Sequence, residues 1–129
     1  MTATGSFPLD FNEYLKQNNH IGIKGGRERP GFLKIWMVEV EGRYFSRSWN
    51  KSIKSWYTTF LTTGIGQIQY GETVINILGK KLPANDPLQE KIDHAYRKRY
   101  AQPENIYYSD GITKPEYADY TMEFFIDQN

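Results

Sequence analysis

Arg47-Ser48 is followed by Trp49, Lys51, Ser52 and then Trp56-Tyr57, with Trp36 a short way upstream. An arginine fork, hydroxyl donors and an ammonium beside a helix start are the groups that hold a phosphate. Aromatic side chains on both flanks suit a phosphate that carries a flat ring, such as a flavin. Ser52 would cap a helix opened by Ile53 and leave backbone amides nearby. The competing reading is structural. Arg47 could pair with a carboxylate, the serines could end a strand, and Trp56 and Tyr57 could be core. Trp49 stands in a polar loop, where core packing explains an aromatic less well, and fits a site or a subunit interface.

Other chemistry has little to stand on. The chain of 129 residues has no cysteine and two histidines, His20 and His94, with no HExxH spacing. Thiolate, disulfide and zinc-hydrolase chemistry are therefore set aside, and no metal site is assigned. No GxSxG is present, Gly64-Ile65-Gly66 follows a helix rather than a strand, and Gly79-Lys80-Lys81 lacks the rest of a P-loop. No catalytic side chain is assigned. The loop Gly25-Gly26-Arg27-Glu28-Arg29 reads as an ordinary turn with solvated charges. The net charge of +1 provides no field for nucleic acid or membrane. Tyr107, Tyr108, Tyr117 and Tyr120 could stack bases, but Glu104, Asp110, Glu116 and Asp119 beside them oppose a phosphate track. The first residues, MTATGSFPLDF, show no secretory pattern, and no apolar run nears the ~20 residues of a spanning helix. A cytoplasmic protein without nucleic-acid or membrane partners is expected.

The elements that must position these groups follow from periodicity. Asp10 and Glu13 read as a capping box, with Leu9 and Tyr14 as its staple, on a helix ending near Asn18. His20–Lys24 reads as a strand, and Leu33–Val40 as one strand, apolar nearly throughout, with both faces covered around Ile35-Trp36-Met37-Val38. Glu41-Gly42 is a two-residue turn, returning Arg43–Ser48 antiparallel. That register pairs Val40 with Arg43, Val38 with Phe45 and Trp36 with Arg47, and so sets Arg47 against the Trp36 ring. Ile53, Trp56, Tyr57, Phe60 and Leu61 follow helical spacing to a stop at Gly64. Residues 65–70 and 73–78 form a second hairpin. Asp86-Pro87-Leu88-Gln89 opens a helix that ends in the basic run Arg97-Lys98-Arg99, which suits the helix dipole. Residues 102–117 read as loop, and 120–126 as a last strand. The sum is a mainly β single domain over residues 1–129, with short helices, an N-terminal tail over residues 1–9, and an antiparallel sheet of the kind that closes into a small barrel.

The run Ile35-Trp36-Met37-Val38-Glu39-Val40-Glu41-Gly42-Arg43-Tyr44-Phe45-Ser46-Arg47-Ser48 resembles the W-V-V-x-x-G-x-x-Y-x-R-S strand pair of a bacterial family of uncharacterised small proteins. Ile92–Tyr100 is similar to that family's I-D-x-A-Y-R-x-K-Y helix, and Thr121–Phe124 to its closing strand. The resemblance covers residues 20–126. That family is related to the FMN- and deazaflavin-binding split barrels, many of which are dimers with cofactor at the subunit interface. The resemblance thus implies an antiparallel split β-barrel, a homodimer, and FMN or deazaflavin as cofactor of an oxidoreductase. It would place Arg47, Ser48 and Lys51 on the cofactor phosphate, and Trp36, Trp49, Trp56 and Tyr57 around its ring. Two departures stand out: Thr58-Thr59 replaces the relatives' W-Y-x-N-L, and Trp49-Asn50 replaces the glycine usual after Arg-Ser. The alternative is a non-enzymatic barrel that has lost the cofactor and binds another small ligand or a protein partner.

Overall fold

The structure is a computed structural model that describes residues 7–18, 20–26, 31–48 and 55–127. Its elements are α1 (Leu9–Gln17), β1 (Ile21–Gly25), β2 (Leu33–Ile35), β3 (Val38–Val40), β4 (Arg43–Arg47), α2 (Trp56–Thr63), β5 (Ile65–Tyr70), β6 (Thr73–Lys81), α3 (Leu88–Arg99), α4 (Ile106–Ile112), a 3-10 turn (Pro115–Tyr120) and β7 (Thr121–Ile126). Local chemistry explains the turns. Glu41 and Gly42 both have positive φ, 55° and 79°, as a tight hairpin turn with the strands' own twist requires. The expected pairs Val40–Arg43 and Val38–Phe45 form in that hairpin. Gly64 ends α2 in the left-handed conformation at φ 73°.

The seven strands make one sheet in the order β2-β1-β5-β6-β7-β4-β3, and every pairing is antiparallel. The two ends of that order are halves of a single run. The expected strand over Leu33–Val40 is broken at Trp36-Met37, because its first half pairs with β1 and its second with β4. This short bridge draws the sheet into a curled half-barrel. It also removes the expected Trp36–Arg47 pair, since β3 starts only at Val38. The backbone groups freed by the break find other partners. The Tyr100 hydroxyl accepts from the Met37 N–H at 3.2 Å and lies 3.3 Å from the Met37 carbonyl, and Ser46 Oγ donates to the Trp36 carbonyl at 2.8 Å.

Two apolar cores form, one on each face. The inner core joins Phe11, Ile21, Ile23, Trp56, Tyr57, Phe60, Ile68, Met122 and Phe124. The outer core packs Val38, Val40 and Phe45 under Ile92, Tyr96, Tyr100 and Ile112 of α3 and α4. This double cover explains why the run around Ile35-Trp36-Met37-Val38 is apolar on both faces, whereas Leu33 and Lys34 at its start are exposed. Phe60 seats against backbone: a Cβ at Gly66 would lie 2.3 Å from its ring, and one at Gly79 2.4 Å.

Several helix expectations are corrected. α1 begins at Leu9 with no side-chain cap, and Leu9 is too exposed to staple. Asp10 instead accepts from the Tyr70 hydroxyl at 3.0 Å. The α2 cap is Ser55, whose side chain accepts from the Thr58 amide; Ser52 lies outside the described residues. Residues 102–117 hold α4 and the start of the 3-10 turn rather than loop. Among the described residues, no helix is long and apolar enough to cross a membrane.

Candidate functional site

Where the break at Trp36-Met37 leaves the end of β4 unpaired by β3, a cleft of about 660 Å³ opens. β2 lines it with Leu33, Lys34 and Ile35, and Trp36 follows. The end of β4 contributes Arg47 and Ser48, α2 contributes Trp56 behind Ser55, and α3 and α4 contribute Tyr96, Tyr108 and Ile112. His20 and Lys24 line it from the β1 side, Lys24 adding to the positive charge of Lys34 and Arg47. No carboxylate lines the cleft among the described residues.

The aromatic walls are held in place. Trp36 stacks on Tyr100, with ring centres 3.8 Å apart and planes 5° from parallel. Tyr108 meets Trp36 edge-on at 6.4 Å. Trp56 belongs to the inner core as well, against Phe60 and Phe124. Tyr57, one residue on, does not line the cleft. It is buried, stacks on Tyr120, and donates its hydroxyl to the Asp119 carbonyl at 2.8 Å. Burial, aided by Asp119 and Tyr120, pushes the Tyr57 phenol up to about 12.

Arg47 is the residue whose setting the sequence conceals. Its side chain is 0% exposed. Nε donates to Thr121 Oγ1 at 3.1 Å, and Nη1 to Asp93 Oδ1 at 2.5 Å and the Ile112 carbonyl at 3.1 Å. Nη2 donates to Gln89 Oε1 at 2.7 Å and lies 3.4 Å from the Gln89 carbonyl. A guanidinium has five N–H groups, and these contacts engage all of them. Its ring contact is Tyr96, 5.8 Å from the guanidinium carbon, in place of the expected Trp36. The Tyr96 hydroxyl accepts from the Arg47 amide at 2.9 Å, and burial raises that phenol well above the ordinary tyrosine range.

Gln89 is the hub that sequence reasoning missed. It is the second residue of α3, and its side chain turns inward. Its amide donates to the Pro83 and Ala118 carbonyls while Oε1 receives Arg47 and Thr121. A glutamine in the first turn of a helix is a weak signal, and only the packing of α3 onto β4 and β7 brings these groups together.

Of the expected site residues, the structure thus brings Trp36, Arg47, Ser48 and Trp56 to one cleft and sets Tyr57 behind it. Lys51 and Trp49 lie outside the described residues. His20, Lys24 and Lys34 are additions. His20 opens a run read only as a strand, and Lys34 sits between apolar neighbours as a solvated edge charge. Burial, then the nearby Lys34 ammonium, lower the His20 imidazole below its ordinary value. Arg97-Lys98-Arg99 does end a helix as expected. Arg99 also donates to the Leu15 and Asn18 carbonyls and so closes the end of α1.

No curated protein matches this chain. Among solved structures, it is similar to the crystal structure of HutZ, the heme storage protein from Vibrio cholerae, with a TM-score of 0.65 and 10% identity. The likeness covers 97% of this chain and 93% of that one. At this identity the likeness concerns the fold: a split β-barrel. The family model described as "Uncharacterized protein conserved in bacteria (DUF2255)" matches residues 17–124, and the chain belongs to that family.

Proposed function

We propose that the cleft binds a planar aromatic ligand with an anionic end, with FMN or a deazaflavin as first candidates. The observation that carries this reading is the lining itself: a rigid Trp36 and Tyr108 corner with cationic side chains and no carboxylate among the described residues. Such a surface offers stacking to a ring and a favourable potential to an anion. If FMN or a deazaflavin is the ligand, it supplies the hydride or electron chemistry of an oxidoreductase, and this chain binds and orients it.

Within this reading the roles change from those first expected. Trp36 and Trp56 are ring contacts, and Ser48 lies on the polar side. Arg47 is a positioning residue, since its fork is engaged internally; it holds α3 and the end of β4 in register around the cleft. Trp49 and Lys51 remain candidates for the ring and the phosphate. A homodimer belongs to the same reading: Leu33 and Tyr108, 60% and 52% exposed, are apolar surface at the cleft that a second copy would cover.

One observation favours a second reading. The phosphate fork implied by the resemblance is spent on Asp93, Gln89, Thr121 and Ile112, which suits a barrel that binds a different small ligand or a protein partner without redox chemistry. Tryptophan quenching during titration with FMN, a deazaflavin and heme separates the two. Saturable quenching by a flavin, reduced at least tenfold in affinity by Trp36→Ala, supports the cofactor reading. Quenching by heme alone supports a binding module, and no quenching by any of them removes the planar-ligand reading. Sedimentation equilibrium with and without ligand tests the homodimer.

A further inference from the structure

Five cations on this barrel sit in ion pairs among the described residues. Lys16 pairs with Glu13, Lys81 with Asp119, Lys91 with Glu41, Arg43 with Glu123 and Arg47 with Asp93. Lys34 lines the cleft without an ion pair among the described residues. Its neighbour there is His20. Gly22 lies opposite Lys34 across the β1–β2 pair, so the two share a face of the sheet. His20, two residues before Gly22, falls on that face by the alternation of strand side chains. Burial first, and then the Lys34 ammonium, lower the His20 imidazole below its ordinary value. At neutral pH this leaves an ammonium beside a neutral imidazole that can donate one N–H. Lys24 also lines the cleft, but its ammonium rests over the Phe32 ring at 4.6 Å.

We propose that Lys34 and His20 form the anion subsite of the cleft and receive the phosphate or carboxylate end of the planar ligand, in place of Arg47. This rests on the planar-ligand reading above. An ammonium facing an apolar cleft gains an opposite charge and a charge-assisted hydrogen bond when the anion arrives. Trp36 follows β2 directly, so the ring contact and the anion contact lie on one continuous stretch of backbone.

FMN and riboflavin differ by the phosphate alone, and their affinities for wild type, Lys34→Ala and Lys34→Arg test the subsite. Wild type is expected to prefer FMN about tenfold, as a hydrogen bond to a charged group is worth. Lys34→Ala should abolish the preference and leave riboflavin binding unchanged; Lys34→Arg should keep it. Lys34 is exposed on an edge strand, so the variants should unfold at the wild-type urea midpoint. An FMN preference that survives Lys34→Ala, or an equal loss for both flavins, overturns the subsite. If neither flavin binds wild type, the cofactor reading fails and pyrophosphate decides the subsite by itself. A saturable shift of the His20 ring resonances, lost in Lys34→Ala, upholds it, and no shift in wild type overturns it.

Discussion

Replacing Arg47 by Met keeps the apolar stem and removes the fork, which separates a structural arginine from a ligand-binding one. Three effects enter the magnitude. The charge-assisted bond to Asp93 is lost, but Asp93 is 33% exposed and can rehydrate. The Ile112 carbonyl and Gln89 Oε1 each lose a donor, though Gln89 Oε1 keeps the Thr121 hydroxyl. One stranded buried acceptor costs about 1–3 kcal/mol. Against this, the desolvation of a fully buried guanidinium is relieved. The net loss should be about 3 kcal/mol, the low end for a broken buried pair. With a urea slope of about 2 kcal/mol/M, the unfolding midpoint should fall by about 1.5 M. Asp93→Asn should cost at least as much, although Asp93 is the more exposed partner, because it leaves the buried cation uncompensated. The double variant should be no worse than the weaker single one. Urea unfolding followed by tryptophan fluorescence reads all four proteins. An Arg47→Met variant within about 1 kcal/mol of wild type that instead loses FMN would refute the internal role of the fork.

The remaining predictions concern other parts of the barrel. Tyr100→Phe should cost about 1–3 kcal/mol, because it strips the Met37 amide of its hydroxyl partner at the strand break; loss of hydrogen-exchange protection at that amide checks it. Gly66→Ala should destabilise by about 1–3 kcal/mol through overpacking on Phe60 and the Lys24 carbonyl, and Gly66→Ala with Phe60→Leu should recover part of the midpoint if the ring is the obstacle. Burial raises Tyr44, Tyr57 and Tyr70 each to about 12. Above a pH of about 10 the unfolded chain releases phenol protons that the folded chain retains, so stability is intact below that pH and falls toward 12. Urea midpoints at pH 9 and 11 test the sign, and Tyr57→Phe should flatten the slope.

What could be read in the sequence and what could not divide by the range of the interactions. The turns at Glu41-Gly42 and Gly64, the register of Val38–Val40 on β4, and the hairpin of β5 and β6 depend on neighbours within a few residues, and local patterning reveals them. The break inside Leu33–Val40 does not show, because β-branched and aromatic residues continue through it; what divides the run is that partners wait at both ends of the sheet. α4 escapes notice because IYYSDGI has weak helix formers and a glycine. Its stability comes from Ile112 in the outer core. For the site, Trp36, Ser48 and Trp56 could be named in advance by residue type. The partners of Arg47 could not, since Gln89, Asp93, Ile112 and Thr121 are 42 to 74 residues away.

The bridge at Trp36-Met37 also bears on how the chain avoids misaligned pairing. A strand that slips by one residue turns its side chains to the wrong face, and an edge strand is usually the easiest to slip. Here the two edges are tied to each other by two residues. A slip of β2 along β1 would drag β3 along β4, exposing Val38 and Val40 while burying Glu39. Each edge therefore proofreads the other, and a register error must be made twice to be made at all.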